Sequence, residues 1–179
     1  MQEPLFIRPA TLADRDALLR LSINSFRDTF ADENNTDDIN RYLKETFSIA
    51  KMEAELKDTR NTFLLAFTKA DNALMGYGKL HNGTPEKEIS GLAPIEISRL
   101  YLDSAFIGRG LGSKLMQACL DEATKQGCQT VWLGVWEHNI RALRFYRRWG
   151  FEVVGSHIFQ MGTDAQTDLI MERSIVSDA

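Results

Sequence analysis

The sequence predicts an α/β fold: a mixed β-sheet flanked by helices, in a single domain over residues 1–179. Three observations lead there. Segments of helical period, such as Leu115, Met116, Cys119, Leu120 and Ala123, alternate with short β-branched and aromatic runs. A glycine-rich turn, Gly108 to Gly112, joins one of those runs to the helix that follows. The chain of 179 residues is 44% hydrophobic and 26% charged, which suits one ordinary core and excludes a mainly disordered, collagen-like or coiled-coil protein.

Taken in order, Phe6-Ile7-Arg8 reads as a strand that Pro9 closes. Thr11 is an N-cap, with Asp14 and Asp16 in the turn where the helix dipole favours acids, and Ala17, Leu18, Leu21 and Phe26 form an apolar stripe. The polar stretch from Asp32 to Asp38 reads as a loop, followed by a short helix carrying Tyr42, Leu43 and Phe47. A third helix covers Ile49 to Lys57, where Met52 and Leu56 share a face. Thr62 to Thr68 and Leu74 to Leu80 form a hairpin about Asp71-Asn72. Residues 82–94 are a loop, and Ile95 to Leu102 is the next strand. The glycine turn opens a helix from Ser113 to about Gln126, which Gly127 ends. Thr130 to Val135 is a strand, Asn139 caps a helix that Gly150 ends, and Phe151 to Phe159 and Asp168 to Ile175 are the last strands, with a turn around Gly162 and Asp164.

Charge and composition exclude several functions. Lys plus Arg number 21 against 25 Asp plus Glu, a net charge of −4, which is the wrong sign for nucleic acid. Two cysteines, Cys119 and Cys128, cannot build a disulfide framework, and the three histidines have no metal-ligand spacing. Cys119 lies on an apolar face and reads as core, and Cys128 lacks a partner for nucleophilic work. No apolar run approaches the ~20 residues of a membrane span, and residues 1–10 do not read as a signal peptide. The expectation is a cytoplasmic protein without metal, membrane or nucleic-acid partners.

The strand, glycine turn and helix carry the chemistry. Glycines let backbone N–H groups approach an anion, and a helix N-terminus adds partial positive charge, an arrangement that suits a pyrophosphate. A tight turn that binds nothing has the same spacing. The run from Gly108 fits neither the G-x-G-x-x-G dinucleotide fingerprint nor the P-loop, since Ser113 and Lys114 follow Gly112 in the wrong order. No G-x-S-x-G elbow is present.

Ile107 to Gly112 resembles the Q/R-x-x-G-x-G/A signature of the GNAT superfamily of N-acetyltransferases. Asn139 to Tyr146, ending Trp149-Gly150-Phe151, is similar to their N-x-x-A-x-x-F-Y…GF segment about thirty residues on. Val135-Trp136-Glu137-His138-Asn139 and the stretch from Gly162 to Asp168 resemble the PaiA-type polyamine acetyltransferases. One departure is Ile107, which stands where the signature has Gln or Arg. The resemblance implies the GNAT fold and acetyl-CoA as cosubstrate. It implies that Leu100, Tyr101 and Leu102 pair with the pantetheine arm as an added strand. The amides of Gly108, Arg109, Gly110, Leu111, Gly112 and Ser113 would cradle the pyrophosphate, and Asn139, Ile140 and Arg141 would lie near the cofactor arm. Arg148 would meet the adenosine phosphate or remain a solvated surface charge. Related enzymes often pair into homodimers.

The chemistry makes two demands. An amine with an ordinary pKa of about 10.4 must lose its proton, a cost of ~4.6 kcal/mol at pH 7. Glu96, eleven residues before Ile107, matches the position where some family members carry a base, and Glu137 is the second choice. The leaving thiolate needs an acid, and Tyr146 matches the family's phenol. The acids Asp28, Asp32, Glu33, Asp37 and Asp38 line the segment where related enzymes place the acceptor, so they hold a polycation or are simply a solvated run. The resemblance therefore implies acetyl transfer to a polyamine such as spermidine or spermine. The rivals are a peptide N-terminus, lysine or amino-sugar as acceptor, and a non-catalytic acyl-CoA-binding regulatory module, for which Ile107 is the sole support.

Overall fold

The computed structural model describes residues 5–30, 35–161 and 164–176. Seven strands form one sheet: β1 (Leu5–Pro9), β2 (Asn61–Thr68), β3 (Leu74–His81), β4 (Pro94–Leu102), β5 (Thr130–Trp136), β6 (Glu152–Met161) and β7 (Asp164–Ser174). Their order is β1-β2-β3-β4-β5-β7-β6. Only β4 and β5 run parallel; the other neighbours are antiparallel. Helices α1 (Arg15–Phe30), α2 (Thr36–Thr46) and α3 (Ile49–Lys57) come before the hairpin, and α4 (Leu111–Lys125) and α5 (Ile140–Arg148) alternate with the later strands. This is the α/β GNAT fold, a mixed sheet flanked by helices in one domain.

Helices cover both faces, which is why β2 is buried from Phe63 to Thr68 rather than alternating with solvent. Phe63, Leu65 and Phe67 meet Leu18, Leu21 and Met52 of α1 and α3. On the opposite face Leu64 joins Leu80, Ile95, Ile97, Val131, Leu133 and Val135 beneath Met116, Cys119 and Leu120 of α4 and Leu143 of α5. β3 lets α4 come close through a missing side chain: a Cβ on Gly78 would stand 2.4 Å from the Cys119 sulfur.

Several boundaries shift by one or two residues from the sequence reading, and three differ by more. Thr11 does cap, but it caps a 3-10 turn through a capping box with Asp14, and α1 begins at Arg15. The acidic stretch read as loop through Asp38 is helical from Thr36, because the Asn35 side chain accepts from the Asp37 N–H, and acids in a first turn suit the dipole. β7 begins at Asp164 rather than Asp168, pairing with β6 out to Met161. The hairpin is longer than turn residues alone indicate.

Candidate active site

The two parallel strands share only three rungs: Pro94 with Thr130, Ile95 with Val131 and Glu96 with Trp132. Beyond Glu96 they diverge, β4 staying with β3 out to Leu102 and β5 staying with β7 out to Trp136. The β5-facing backbone edge of β4 from Ile97 onward is thus open, an edge ready to accept an added strand. A β-bulge at Ser98 reverses the alternation at the same place: Leu80 of β3 faces Ile97, but Lys79 faces Arg99. Ile95 and Ile97 therefore face α4, whereas after the bulge Leu100 and Leu102 do so and Arg99 and Tyr101 turn to the α1–α3 side. A cavity of about 710 Å³ occupies the divergence, within the usual range for small-molecule sites.

At one end lies the glycine turn. Gly108 and Gly110 both have φ of +81°, the left-handed region that side chains disfavour, and Gly110 is the residue from which α4 starts. Gly108, Gly110, Gly112 and Ser113 line the cavity, so the first amides of α4 and its positive dipole end face the open space. α5 closes the same end. Asn139 caps it by accepting from the Ala142 N–H at 3.1 Å, and Arg141, Ala142, Phe145, Tyr146 and Arg148 present one helical face to the cavity. The Tyr146 ring stands edge-on to Phe145 and Phe151, and burial raises its pKa, so the phenol keeps its proton throughout the neutral range.

The other end is an aromatic wall with charges set into it. Phe26, Phe30, Tyr42, Phe47 and Trp136 pack together between α1, α2 and β5. Arg99 lines the cavity beside them, donating to both Glu55 oxygens at 2.7 and 2.9 Å, and Lys79 adds a third bond to Glu55 at 3.0 Å. Burial pushes the Glu55 carboxyl up, but Arg99 and Lys79 outweigh it and hold it below the usual range. Asp28 and Asp168 also line the cavity. Burial raises the Asp168 pKa, partly offset by His157, whose Nε2 lies 3.7 Å from its Oδ2.

The cavity brings together Leu100, Tyr101, Leu102, Gly108, Gly110, Gly112, Ser113, Asn139, Arg141, Tyr146, Arg148 and Asp28 from the sequence reading. Its lining among the described residues does not include Glu96, Glu137, Arg109, Leu111 or Ile140. Glu96 sits at the last shared rung with β5, and burial raises its pKa. Glu137 lies 3.8 Å from the His138 ring, Arg109 stacks over Phe106, Leu111 is buried in the first turn of α4, and Ile140 is half exposed. Asp37 and Asp38 stand in the first turn of α2, and Asp32 and Glu33 lie outside the described residues. Arg99, Glu55 and Asp168 were missed by sequence reasoning. They come from β4, α3 and β7, and no local spacing links them. Cys119 is buried and its thiol is pushed up to about 12 by that burial, so it is an inert core group. Among the described residues no cluster has the makings of a metal site, and no helix is long and apolar enough to cross a membrane.

Comparison with known proteins agrees with this geometry. The sequence model of the Acetyltransferase (GNAT) family matches residues 23–151. An uncharacterised N-acetyltransferase of Lactobacillus delbrueckii subsp. lactis is 32% identical over 163 residues, covering 91% of this chain and 93% of its own. A spermidine N(1)-acetyltransferase of Thermoplasma acidophilum is 27% identical over 175 residues, covering 96% and 98%. Among solved structures, a PaiA N-acetyltransferase from Thermoplasma acidophilum in complex with coenzyme A superposes with a TM-score of 0.77 at 24% identity, covering 96% of this chain and 99% of that one.

Proposed function

The chain belongs to the GNAT family of acetyltransferases, and from that premise we propose that it moves acetyl from acetyl-CoA to a primary amine by direct attack, with a polyamine such as spermidine or spermine as acceptor. One observation carries the reading: the cavity is polarised along the open edge of β4. The α4 amides, Arg141 and Arg148 make one end a site for phosphates. At the other end Arg99 and Lys79 line the cavity but are paired with Glu55 behind them, and Asp28 and Asp168 line it beside them. That end suits a cation, and the spermidine acetyltransferase covering nearly the whole chain supports the same acceptor class.

In this reading Leu100, Tyr101 and Leu102 offer their backbone to the pantetheine arm. Amides from Gly108 to Ser113 hold the pyrophosphate, and Ile107 adds no polar side chain to them. Arg141 and Arg148 balance the phosphate charge. The amine, once deprotonated, attacks the thioester carbon, and the C–S bond breaks. Tyr146 meets the departing sulfur. Because its pKa is raised, full proton transfer to a thiolate of ordinary pKa about 8.5 is uphill, and its main contribution is a hydrogen bond to the developing charge. Two carboxylates with raised pKa are suited to the amine's proton, Glu96 and Asp168, and of the two Asp168 lines the cavity.

The test is release of CoA thiol from acetyl-CoA with spermidine, spermine, a lysine peptide and an amino-sugar. Release with the polyamines, reduced about 100-fold or more in Tyr146→Phe, is the expected result. Release with another amine alone keeps the transfer and removes the polyamine. Tight acetyl-CoA binding without release from any amine leaves a non-catalytic acyl-CoA-binding module.

A further inference from the structure

The overall reaction converts R–NH3+ and acetyl-CoA into R–NH–COCH3, CoA–SH and H+. Two protons leave nitrogen: one ends on sulfur, and the other must leave a cavity walled by aromatic rings. The structure holds a file of groups that runs from that cavity to solvent. Asp168 lines the cavity, His157 Nε2 stands 3.7 Å from its Oδ2, and the other ring nitrogen, Nδ1, stands 3.1 Å from Glu86 Oε1. Side-chain exposure rises along the file, from 18% at Asp168 to 34% at His157 and 39% at Glu86.

Each member is held in place. Asp168 and His157 face each other across the β6–β7 ladder, and Asp168 also faces Trp136 of β5. Gly134, near them on β5, lines the cavity: a Cβ there would stand 3.6 Å from Asp168 Oδ2 and 3.7 Å from His157 Cε1. The glycine therefore keeps open the floor beside the carboxylate, where an acceptor nitrogen would fit. Glu86 belongs to the loop between β3 and β4, which is pinned at two points. Ser90 donates its N–H and hydroxyl to Glu172, and Glu88 packs over Gly155 so closely that a Cβ there would lie 2.4 Å from its Cγ.

We propose that Asp168 takes the proton from the acceptor amine, and that His157 and Glu86 pass it to solvent. The inference rests on the acetyl-transfer reading. Asp168 is the catalytic residue, touching the amine; His157 and Glu86 act through it. The ammonium proton moves to the Asp168 carboxylate, freeing the nitrogen lone pair for the thioester carbon. The carboxyl then gives a proton to His157 Nε2 while Nδ1–H is lost to Glu86, so the imidazole ends neutral and the carboxylate is restored. Burial raises the Asp168 pKa, which narrows its mismatch with an amine. Glu96 on β4 interacts with the Glu86 and His157 charges, and the Tyr42 phenol on α2 with that of Asp168. Glu96 feels the His157 charge from β4 without lining the cavity, which makes it the rival to compare with Asp168.

The experiment measures CoA release with saturating spermidine across pH, beside acetyl-CoA binding by each variant. Asp168→Asn is expected to lower kcat about 100-fold or more with acetyl-CoA affinity unchanged, a larger loss than that of Glu96→Gln, the rival base. His157→Ala is expected to lose about tenfold in dilute buffer and to regain most of it with added imidazole, which no merely structural role would produce. Near-normal Asp168→Asn, a loss carried by Glu96→Gln instead, or no imidazole rescue of His157→Ala would each overturn the relay. If the wild-type chain releases no CoA with any amine, the transfer reading itself fails, an outcome separate from those three.

Discussion

The two faces of the sheet are built from different materials. Under α4 and α5 the buried layer is Leu, Ile, Val, Met and Phe, with Cys119 as its sole thiol and no buried ion among the described residues. Under α1–α3 the buried layer is interrupted by chemistry: the Ser22 hydroxyl meets the Tyr77 hydroxyl at 2.6 Å, and Glu55 takes three bonds from Arg99 and Lys79. Both faces are helix-covered and both contribute apolar packing. The difference is that only the second forms the aromatic, charged end of the cavity. An apolar face has many near-equivalent solutions, whereas a buried polar network must be satisfied group by group. The ions on the α1–α3 face are thus retained at some cost in stability, and they set the charge of the cavity wall.

Glu55→Ala is the largest test of that contrast. It leaves the Arg99 and Lys79 charges buried without their shared carboxylate, and a broken buried pair costs ~3–5 kcal/mol, read as a fall in the denaturant midpoint. Replacing all three with methionine removes the stranded charges, so most of the stability is expected to return. Amine turnover is expected to be low in that triple variant, because methionine in place of Arg99 and Lys79 makes that stretch of the cavity wall apolar. If turnover returns as well, the ions contribute only to folding and the contrast between the faces dissolves.

Leu120→Ala probes the other face. Leu120 is buried among Met116, Cys119 and Val131 in the later half of α4, away from the glycine turn, and the truncation is expected to cost ~3 kcal/mol through lost burial and the cavity left behind. At a temperature where the variant is fully folded, the KM for acetyl-CoA and kcat are expected to match the parent. Stability and activity thus separate on this face, where on the other they fall together.

How much of this was legible beforehand follows the same division. The bounds of α3 match the sequence reading residue for residue, and β2 differs at one end by a single position, because apolar period is a local signal. The glycine turn and Tyr146 were found for the same reason, a local motif on a local element. Arg99 was not found, because its direction depends on the bulge at Ser98, which one strand's sequence does not announce. Glu55 reads as an ordinary surface acid on a short amphipathic helix until β3 and β4 bring two cations to it. Asp168 was hidden twice: the turn residues before it concealed the longer β7, and its partners Trp136 and His157 lie on other strands. Long-range pairing, not residue type, makes these three functional candidates.

The smallest effect is expected where the same ion-pair chemistry stands at the rim. Arg8 grips Asp14 in the two-pronged manner in which Arg99 grips Glu55, with bonds of 2.7 and 2.8 Å, yet the Arg8 side chain is 39% exposed against 11% for Arg99. Arg8, and then the Thr11 N–H and hydroxyl, hold the Asp14 carboxyl down at about 2 despite partial burial. A carboxyl whose pKa is lower folded than unfolded, where it is about 3.9, stabilises above the unfolded value, and that contribution is lost as pH falls toward 2. Asp14→Asn keeps an acceptor for the capping box but drops the charge, so it is expected to cost about 0.5–1 kcal/mol at neutral pH. The gap to the parent should narrow below pH 4, close as pH nears 2, and shrink in 1 M salt, measured by denaturant unfolding at each condition. A cost as large as that of Glu55→Ala would mean that pair geometry rather than burial sets the worth of an ion pair here, and the distinction between rim and interior would have to be given up.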